Sequence, residues 1–239
     1  MDSTLFTRLQ SGDTIVLPKE TGHHLLRVLR LRVGDEIEVF DGHGHVALGL
    51  LLDGIPARLQ ISEIREATRS LPPLIVAQSA VRQSKIDEVL RRSTELGASA
   101  LWVFQAERSV VDATVKKADR MVRIAREAAR QSERSDVPAL EGPVSFDELC
   151  NRVRDFPGVC AFGALEAEKP YSEVLRQTPR FLQDGSLFIV GPEGGLSEAE
   201  QHKLSSVGAI GVRLGPHVQR TETAGLSALS AALCVLGGL

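Results

Sequence analysis

The chain has 239 residues, of which 43% are hydrophobic and 25% are charged, a composition typical of a folded globular protein with one large or two modest domains. Its formal net charge of -3 at pH 7 excludes attraction of the whole surface to nucleic acid, so any RNA-binding charge must be local. The most apolar stretches, around 48–52 and 228–236, are too short to span a bilayer, and we expect no membrane association.

The first seventy residues are predicted to be mostly β. Strands are predicted at Thr14–Leu17, Ile37–Phe40, His45–Leu52 and Ala57–Ile64. The turn Asp41-Gly42-His43-Gly44 joins the second and third strands as a hairpin. A short helix is predicted over Lys19–Arg30. Short strands around one helix indicate a small barrel covering residues 1–70.

A polar segment with paired prolines, Arg69 to Pro73, marks the best domain boundary. After it, strands are predicted at Leu74–Ala80, Leu101–Phe104, Val159–Phe162, Leu187–Val190 and Ile210–Leu214. Helices are predicted at Ser84–Leu96, Lys116–Gln131, Ser145–Arg154, Glu222–Leu236 and, after a capping box that starts at Ser197, to Val207. This alternation predicts an α/β domain with a mainly parallel sheet over residues 74–239.

A glycine turn, Gly191-Pro192-Glu193-Gly194-Gly195, follows the strand that ends at Val190. Ligands of open α/β sheets bind at the carboxyl ends of strands, and glycine lets backbone N–H groups approach a ligand closely. A tight connection without a ligand is the alternative explanation of the glycines. The acid Glu193, and a second such unit within about thirty residues, favour a ligand loop.

That second unit runs from Leu214 to Ala224, where polar residues crowd the start of an otherwise apolar helix. Capping explains one threonine and Glu222. It does not explain Arg220, because the N-terminal end of a helix disfavours cations. We therefore predict an anionic partner for Arg220, which is Glu193, Glu222 or an RNA phosphate. The rest of the helix is buried or pairs with another subunit.

Basic residues cluster locally despite the acidic total. On a helical wheel, five arginines share an arc of about 120°: Arg120, Arg123, Arg126, Arg130 and Arg134. A solvated face explains this pattern equally well, but the positive excess favours a surface that follows RNA phosphates. A second cluster contains His23, His24, Arg27, Arg30 and Arg32. For a looser third group, Arg82, Lys85, Arg91 and Arg92, a solvated helix face is favoured.

Several motifs of other protein classes are absent from the sequence. There is no Gly-x-Gly-x-x-Gly after a strand, no Walker loop and no Gly-x-Ser-x-Gly elbow, which argues against dinucleotide, NTPase and serine hydrolase sites. Neither His-Glu-x-x-His nor Cys-x-x-Cys occurs, so we predict no metal. Three scattered cysteines and the lack of a signal-peptide pattern at residues 1–10 predict a cytoplasmic protein.

Together these segments resemble the bacterial 16S rRNA uracil-N3 methyltransferases, the RsmE-type members of the SPOUT superfamily. The resemblance runs nearly end to end. It includes His23-His24-Leu25, Val28-Leu29-Arg30, Gly34-Asp35, Asp41-Gly42, Thr94-Glu95-Leu96-Gly97, Glu107-Arg108-Ser109, Glu127-Ala128-Ala129-Arg130-Gln131-Ser132, the glycine turn and Arg220-Thr221-Glu222-Thr223-Ala224. The order and spacing of these motifs, rather than any one of them, make the resemblance specific.

The resemblance implies a PUA-like RNA-binding barrel before a SPOUT α/β methyltransferase domain with a C-terminal trefoil knot. It also implies a homodimer through that domain, S-adenosylmethionine as cofactor, and N3 of one uridine in 16S rRNA of the small ribosomal subunit as acceptor. Cofactor contacts are predicted at Phe162, Gly163, Val190, Gly191, Pro192, Glu193, Gly194, Gly195, Leu214, Gly215, Val218, Gln219, Thr221, Thr223 and Ala224. RNA contacts are predicted at His24, Arg27, Arg30, Arg32, Arg108, Arg123, Arg126, Arg130 and Arg134.

Three residues are predicted to take part in the reaction. Uridine N3 must lose a proton before it attacks, and Glu222 or Glu193 is the proton acceptor or orients the base, with a helix cap as the alternative role of Glu222. Arg220 stabilises negative charge on the uracil carbonyl oxygens.

Two other functions stay open at this stage. One is a SPOUT methyltransferase that acts on another RNA, such as tRNA. The other is a non-catalytic RNA-binding assembly factor. Family members commonly carry arginine and leucine where this chain has His217 and Gln219, and these positions border the predicted cofactor pocket. Cofactor binding discriminates between catalytic and non-catalytic functions.

Overall fold

The computed structural model describes residues 9–40, 44–54, 56–66, 71–111 and 118–237. The chain divides into two compact units. The first unit comprises residues 1–69 and 133–137, and the second comprises residues 70–132 and 138–239.

The first unit contains a four-stranded antiparallel sheet in the order β1-β4-β3-β2. Its strands are β1 (Thr14–Val16), β2 (Glu36–Phe40), β3 (His45–Gly54) and β4 (Ala57–Glu66). Alternate residues of β4 are buried from Ala57 to Ile61, because one face of the sheet covers a small apolar core. The predicted hairpin is confirmed by the pairing of Phe40 with Val46, although its turn residues 41–43 lie outside the described residues.

The helical segment of the first unit differs from its prediction. Helix α1 (Lys19–His23) widens into a π-helical turn, His24–Val28, instead of continuing to Arg30. Arg30 has a φ of +57°, and the N–H of Leu31 donates a hydrogen bond to the Leu25 carbonyl at 3.0 Å. Arg30 therefore occupies the left-handed position after a helix end, where glycine is the usual residue.

The second unit contains a six-stranded sheet in the order β10-β8-β9-β5-β6-β7, and every pairing in it is parallel. Its strands are β5 (Leu74–Ser79), β6 (Ala100–Phe104), β7 (Ala139–Val144), β8 (Val159–Gly163), β9 (Ser186–Val190) and β10 (Ile210–Val212). The central strands β5 and β9 are buried along their whole length, as helices on both faces of a parallel sheet require. The predicted parallel α/β sheet is confirmed, with β7 as an unpredicted edge strand.

Seven helices of the second unit lie within the described residues. They are α2 (Gln83–Glu95), α3 (Ala118–Gln131), α4 (Phe146–Asp155), α5 (Tyr171–Gln177), α6 (Phe181–Asp184), α7 (Glu198–Ser206) and α8 (Thr221–Leu236). The predicted capping box of α7 is present, because the side chains of Ser197 and Glu200 each accept from the other's backbone N–H. The predicted start of α3 at Lys116 lies outside the described residues. In the described part of the chain, no helix has the length and apolar character that a membrane span needs.

Helix α8 packs against α2, α5, β5 and β9. A Cβ atom added at Gly225 would lie 3.0 Å from Cγ1 of Val76 and 3.5 Å from Cγ2 of Val190. Glycine at this position lets the first turns of α8 approach the two central strands closely. As a result, the polar start of α8 lies beside the ends of β5 and β9.

Candidate functional site

The predicted ligand loops meet at one edge of the parallel sheet. Strands β8, β9 and β5 are neighbours, so the residues that follow them lie side by side. Phe162 and Gly163 end β8, and the glycine turn 191–195 follows β9. The loop 213–220 follows β10, which pairs with β8. The structure therefore brings together the three segments that were predicted to form the pocket.

A buried chain of hydrogen bonds joins three of these elements. Gln78 at the end of β5 donates from Nε2 to Oγ1 of Thr221 at 2.8 Å. The Thr221 hydroxyl in turn donates to the carbonyl of Gly191 at 2.8 Å. Gln78 is fully buried and was not singled out from the sequence. These two hydrogen bonds fix the start of α8 against the glycine turn.

The glycine turn exposes the backbone of two glycines in addition to the side chain of Glu193. A Cβ atom at Gly191 would lie 3.0 Å from the backbone nitrogen of Leu196, and Gly195 has a φ of +70°. Gly194 and Gly195 are exposed, whereas Pro192 is buried. Glycines are thus required here by close approach and by a left-handed backbone, which leaves polar backbone groups at the surface of the turn.

The loop 213–220 offers a polar acceptor beside the turn. The side-chain oxygen Oε1 of Gln219 is buried and has no hydrogen-bond partner among the described residues. Val218 is 74% exposed, and Pro216 and His217 are also exposed. A buried oxygen without a donor is costly, so this atom suits a ligand that brings an N–H group.

Four charged side chains converge beside the turn. The ammonium of Lys85 lies 3.0 Å from Oε1 of Glu193 and 3.1 Å from Oε2 of Glu222. Arg220 is weakly engaged, since Nη1 lies 4.0 Å from Oε1 of Glu222 and the Arg220 side chain is 85% exposed. Among the described residues, the anionic neighbour of Arg220 is therefore Glu222, and an RNA phosphate stays a prediction. The favoured interpretation of Lys85 as part of a solvated helix face was wrong, because its side chain points into this cluster.

The environment lowers the pKa of both carboxyl groups. Glu193 accepts a hydrogen bond from its own backbone N–H and another from Lys85, and these lower its pKa below the ordinary value. Burial alone would raise the pKa of Glu222, but its own backbone N–H and Lys85 outweigh burial, and the net shift is downward. The hydrogen bond to Glu193 and the close contact with Glu222 raise the pKa of Lys85. The cluster is therefore charged at neutral pH.

Arg108 holds the outer side of the glycine turn. Its Nη1 donates to the carbonyl of Gly194 at 3.0 Å. The backbone N–H of the preceding Glu107 donates to Oε1 of Glu200 at 2.8 Å, and Glu200 also closes the capping box of α7. The loop after β6 is thus fastened to the glycine turn and to the following helix. Sequence reasoning had assigned Arg108 only to RNA.

The arginines of α3 do not form one continuous stripe. Arg120 pairs with buried Asp87 at 2.5 Å, and Arg130 pairs with Glu127 at 2.8 Å. Arg123 and Arg126 are exposed and have no ion pair within the described ranges. Placing Arg134 on this helix was wrong, because α3 ends at Gln131 and Arg134 pairs with Asp136 at 2.9 Å.

The other predicted RNA contacts lie in the first unit. Arg27, Arg30 and Arg32 are exposed, and His24 is half-buried in the π-helical turn. Across the described residues, no three His, Cys, Asp or Glu side chains come together as a metal-binding group.

Two family models match the chain. The model of the RNA methyltransferase domain matches residues 69–233, and that of the RNA methyltransferase PUA domain matches residues 17–62. Among curated proteins, the chain is 35% identical to ribosomal RNA small subunit methyltransferase E of Bacillus subtilis over 94% of this chain and 91% of the relative. It is 32% identical to the protein of that name in Mycobacterium bovis, over 92% of this chain and 86% of the relative.

Solved structures give the same result. Ribosomal RNA small subunit methyltransferase E of Neisseria gonorrhoeae, bound to S-adenosylmethionine, superposes with a TM-score of 0.80 at 28% identity, covering 95% of this chain and 94% of the other. A methyltransferase from Legionella pneumophila, also with bound S-adenosylmethionine, superposes with a TM-score of 0.79 at 26% identity and the same coverage.

Proposed function

Because this chain belongs to the ribosomal RNA small subunit methyltransferase E family, we propose that it methylates N3 of one uridine in 16S rRNA with S-adenosylmethionine as donor. The family predicted from the sequence motifs is confirmed. The observation that carries the proposal is the convergence of the glycine turn, the loop 213–220 and the charged cluster at one sheet edge. A non-catalytic assembly factor has no need of that arrangement.

The residues of the edge fit the donor. S-adenosylmethionine, when bound, supplies an electrophilic methyl group on a sulfonium. The backbone of residues 191–195 and of 214–219 would hold its adenosyl and methionine parts, with Phe162 and Gly163 as a third wall. The unpaired buried oxygen of Gln219 provides an acceptor for an adenine amine. In this role Gln219 is a binding residue rather than a sign of lost function.

The reaction requires that an acceptor nitrogen be aligned and relieved of its proton. Much of the rate of such a displacement comes from alignment, which the hydrogen bonds of Gln78, Thr221 and Gly191 provide by fixing both loops. The lowered pKa of Glu222 keeps it ionised but makes it a weak base. Its role is therefore to accept a hydrogen bond from uracil N3–H and orient the base, and the N3 proton passes through this hydrogen bond to solvent water as the methyl group replaces it. Arg220, with its guanidinium mostly in solvent, is available to the developing charge on a uracil oxygen.

The two parts of the chain have separate roles in this proposal. Residues 1–70 form a PUA-like RNA-binding domain, and residues 74–239 form the knotted methyltransferase domain. A homodimer through the second domain is supported by Leu226 and Val235, two apolar residues that flank the buried face of α8 and stay half-exposed. The enzyme acts in the cytoplasm on rRNA of the small ribosomal subunit.

The decisive experiment is mass mapping of 16S rRNA from cells that lack this protein. We expect one N3-methyluridine to disappear and to return when the purified protein and S-adenosylmethionine are added to the undermethylated small subunit. Methyl incorporation into tRNA instead of 16S rRNA would contradict the proposed substrate. If calorimetry detects no binding of S-adenosylmethionine, the proposed enzymatic activity is contradicted and a non-catalytic assembly factor is favoured.

A further inference from the structure

Lys85 connects three segments that are far apart in the sequence. It lies in the first turn of α2, while Glu193 belongs to the glycine turn and Glu222 to the start of α8. Both carboxylate oxygens lie within about 3 Å of one nitrogen, so they are no more than about 6 Å apart. The side chain of Lys85 is 29% exposed and that of Glu222 is 15% exposed.

The position of Lys85 is unfavourable for its own helix. Helix α2 has no acidic residue in its first turn, and a cation near a helix N-terminus opposes the helix dipole. A half-exposed ion pair also contributes little to folding, because solvent screens it and the side chains lose freedom. Helix α2 already packs on α8 through buried residues of its own. Neither helix formation nor packing therefore explains why a lysine is held here.

The ammonium of Lys85 reduces the repulsion between the carboxylates of Glu193 and Glu222. Two carboxylates this close disfavour each other's ionisation, and a cation between them reverses that effect. Other cations act on the cluster from several elements. Arg82, which precedes α2, acts on Glu193; Arg220, which precedes α8, acts on Glu222; and Arg108 contacts the glycine turn at Gly194. Of these, Lys85 is the cation within 3.1 Å of both carboxylates.

We propose that Lys85 is a positioning residue for the methyl transfer, which bridges Glu193 and Glu222 so that both carboxylates stay charged and correctly oriented toward the uracil. This inference rests on the proposed function of the site. Lys85 acts through Glu222, whose oxygen orients the N3–H, and it has no assigned part in binding the methyl donor.

The kinetic test replaces Lys85 by methionine, which keeps the length and removes the charge, and by arginine, which keeps the charge. Lys203→Met is the matched control, because Lys203 forms a similar pair with Asp147 on the surface of α7. We expect Lys85→Met to lower the single-turnover rate roughly tenfold or more, with S-adenosylmethionine affinity within about twofold of wild type. Lys85→Arg should recover part of the rate, and Lys203→Met should match wild type.

The pH profile separates positioning from general damage. The ammonium lowers the pKa of Glu222 and Glu193, so its removal lets both carboxylates take up a proton at a higher pH. The acidic limb of the rate profile should therefore move to higher pH in Lys85→Met and stay in place in Lys203→Met. A carboxyl ¹³C titration of the two glutamates by NMR should show the same upward shift without any turnover.

A double variant tests whether Lys85 acts through Glu222. In a Glu222→Gln background, Lys85→Met should cause little further loss. Additive losses, an unmoved acidic limb, or a fall in cofactor affinity that accompanies a lower Tm would each overturn the positioning role. A wild-type protein that transfers no methyl group to 16S rRNA would overturn the proposed function as well, whereas an active wild type with an unaffected Lys85→Met variant overturns only this inference.

Discussion

The cations of this protein occur in two different settings. In the first unit, Arg27, Arg30 and Arg32 are exposed and have no ion-pair partner among the described residues. At the sheet edge of the second unit, Lys85 is held by two carboxylates and Arg108 by a backbone carbonyl. Unpaired surface cations bind phosphates with a strong dependence on salt, whereas a paired cation fixes geometry and lowers the pKa of the carboxylates that hold it. The difference separates residues for affinity from residues for alignment.

The largest effect should come from the paired setting. Glu222→Gln keeps the side-chain size but removes the charge that orients uracil N3–H, so we expect the single-turnover rate of methyl transfer to fall about 10²-fold. The affinity for S-adenosylmethionine should not change, because in this proposal the cofactor is held by backbone and by Gln219, and not by Glu222. Calorimetry and rapid-quench methylation measure the two quantities. A wild-type rate in this variant would reduce Glu222 to a helix cap.

The buried hydrogen bonds that join Gln78, Thr221 and Gly191 at the same sheet edge should have a smaller effect, and this effect should be on stability. Thr221→Val removes the hydroxyl between Gln78 and Gly191, which leaves a buried amide and a carbonyl without their partner. We expect the free energy of unfolding to fall by about 1–3 kcal/mol. Thr178→Val is the control, because the Thr178 hydroxyl bonds only a carbonyl of its own helix. Denaturant unfolding measures both variants. An equal loss of unfolding free energy in Thr221→Val and Thr178→Val would contradict the proposed role of the Gln78–Thr221–Gly191 hydrogen bonds.

Thr221 also shows which features the sequence could predict. A threonine at a helix start is predicted to cap it, and this prediction was wrong, because α8 has no side-chain cap and the Thr221 hydroxyl bonds Gly191 instead. Other local patterns did locate the hairpin, the parallel strands, the glycine turn and the capping box of α7. The bond from Gln78 joins residues 143 positions apart, and no local pattern indicates such a contact. Lys85 was misassigned for the same reason, because its partners lie on other elements.

The missed elements have other physical causes. Strand β7 contains Gly142 and Pro143, which argue against a strand, and it is tolerated because it lies at the edge of the sheet. Helices α5 and α6 have 7 and 4 residues, too few for a hydrophobic period to be visible. The wheel that included Arg134 assumed a helix beyond Gln131, and the chain turns before it.

Arg123 and Arg126 of α3, in the second unit, are also exposed and without an ion pair among the described residues, so RNA binding through them should depend on salt. Replacing Arg123 and Arg126 together by glutamine should weaken binding to the small subunit or its rRNA by roughly tenfold at low salt, with a shallower salt dependence. Cofactor affinity should stay at the wild-type value. Arg92→Gln is the control, because Arg92 is exposed on α2 but paired with Glu88. Filter binding across a salt series measures the slope, and an unchanged slope would assign these arginines to a solvated face.

The smallest effect is expected at Arg30, where the side-chain charge should affect RNA binding and the backbone conformation should affect stability. Arg30 has a φ of +57° after the π-helical turn, and glycine adopts that conformation without strain. Arg30→Gly should therefore raise the free energy of unfolding by about 0.5 kcal/mol, because the relief of strain exceeds the entropy lost by glycine. The same variant should bind RNA a few-fold more weakly at low salt, since a phosphate contact is lost. Arg32→Gly removes the same charge from a residue without positive φ, so it should weaken RNA binding equally but lower stability. Stability changes of the same sign in both variants would mean that Arg30 is not strained, and unchanged RNA binding in both would remove this cluster from the affinity surface.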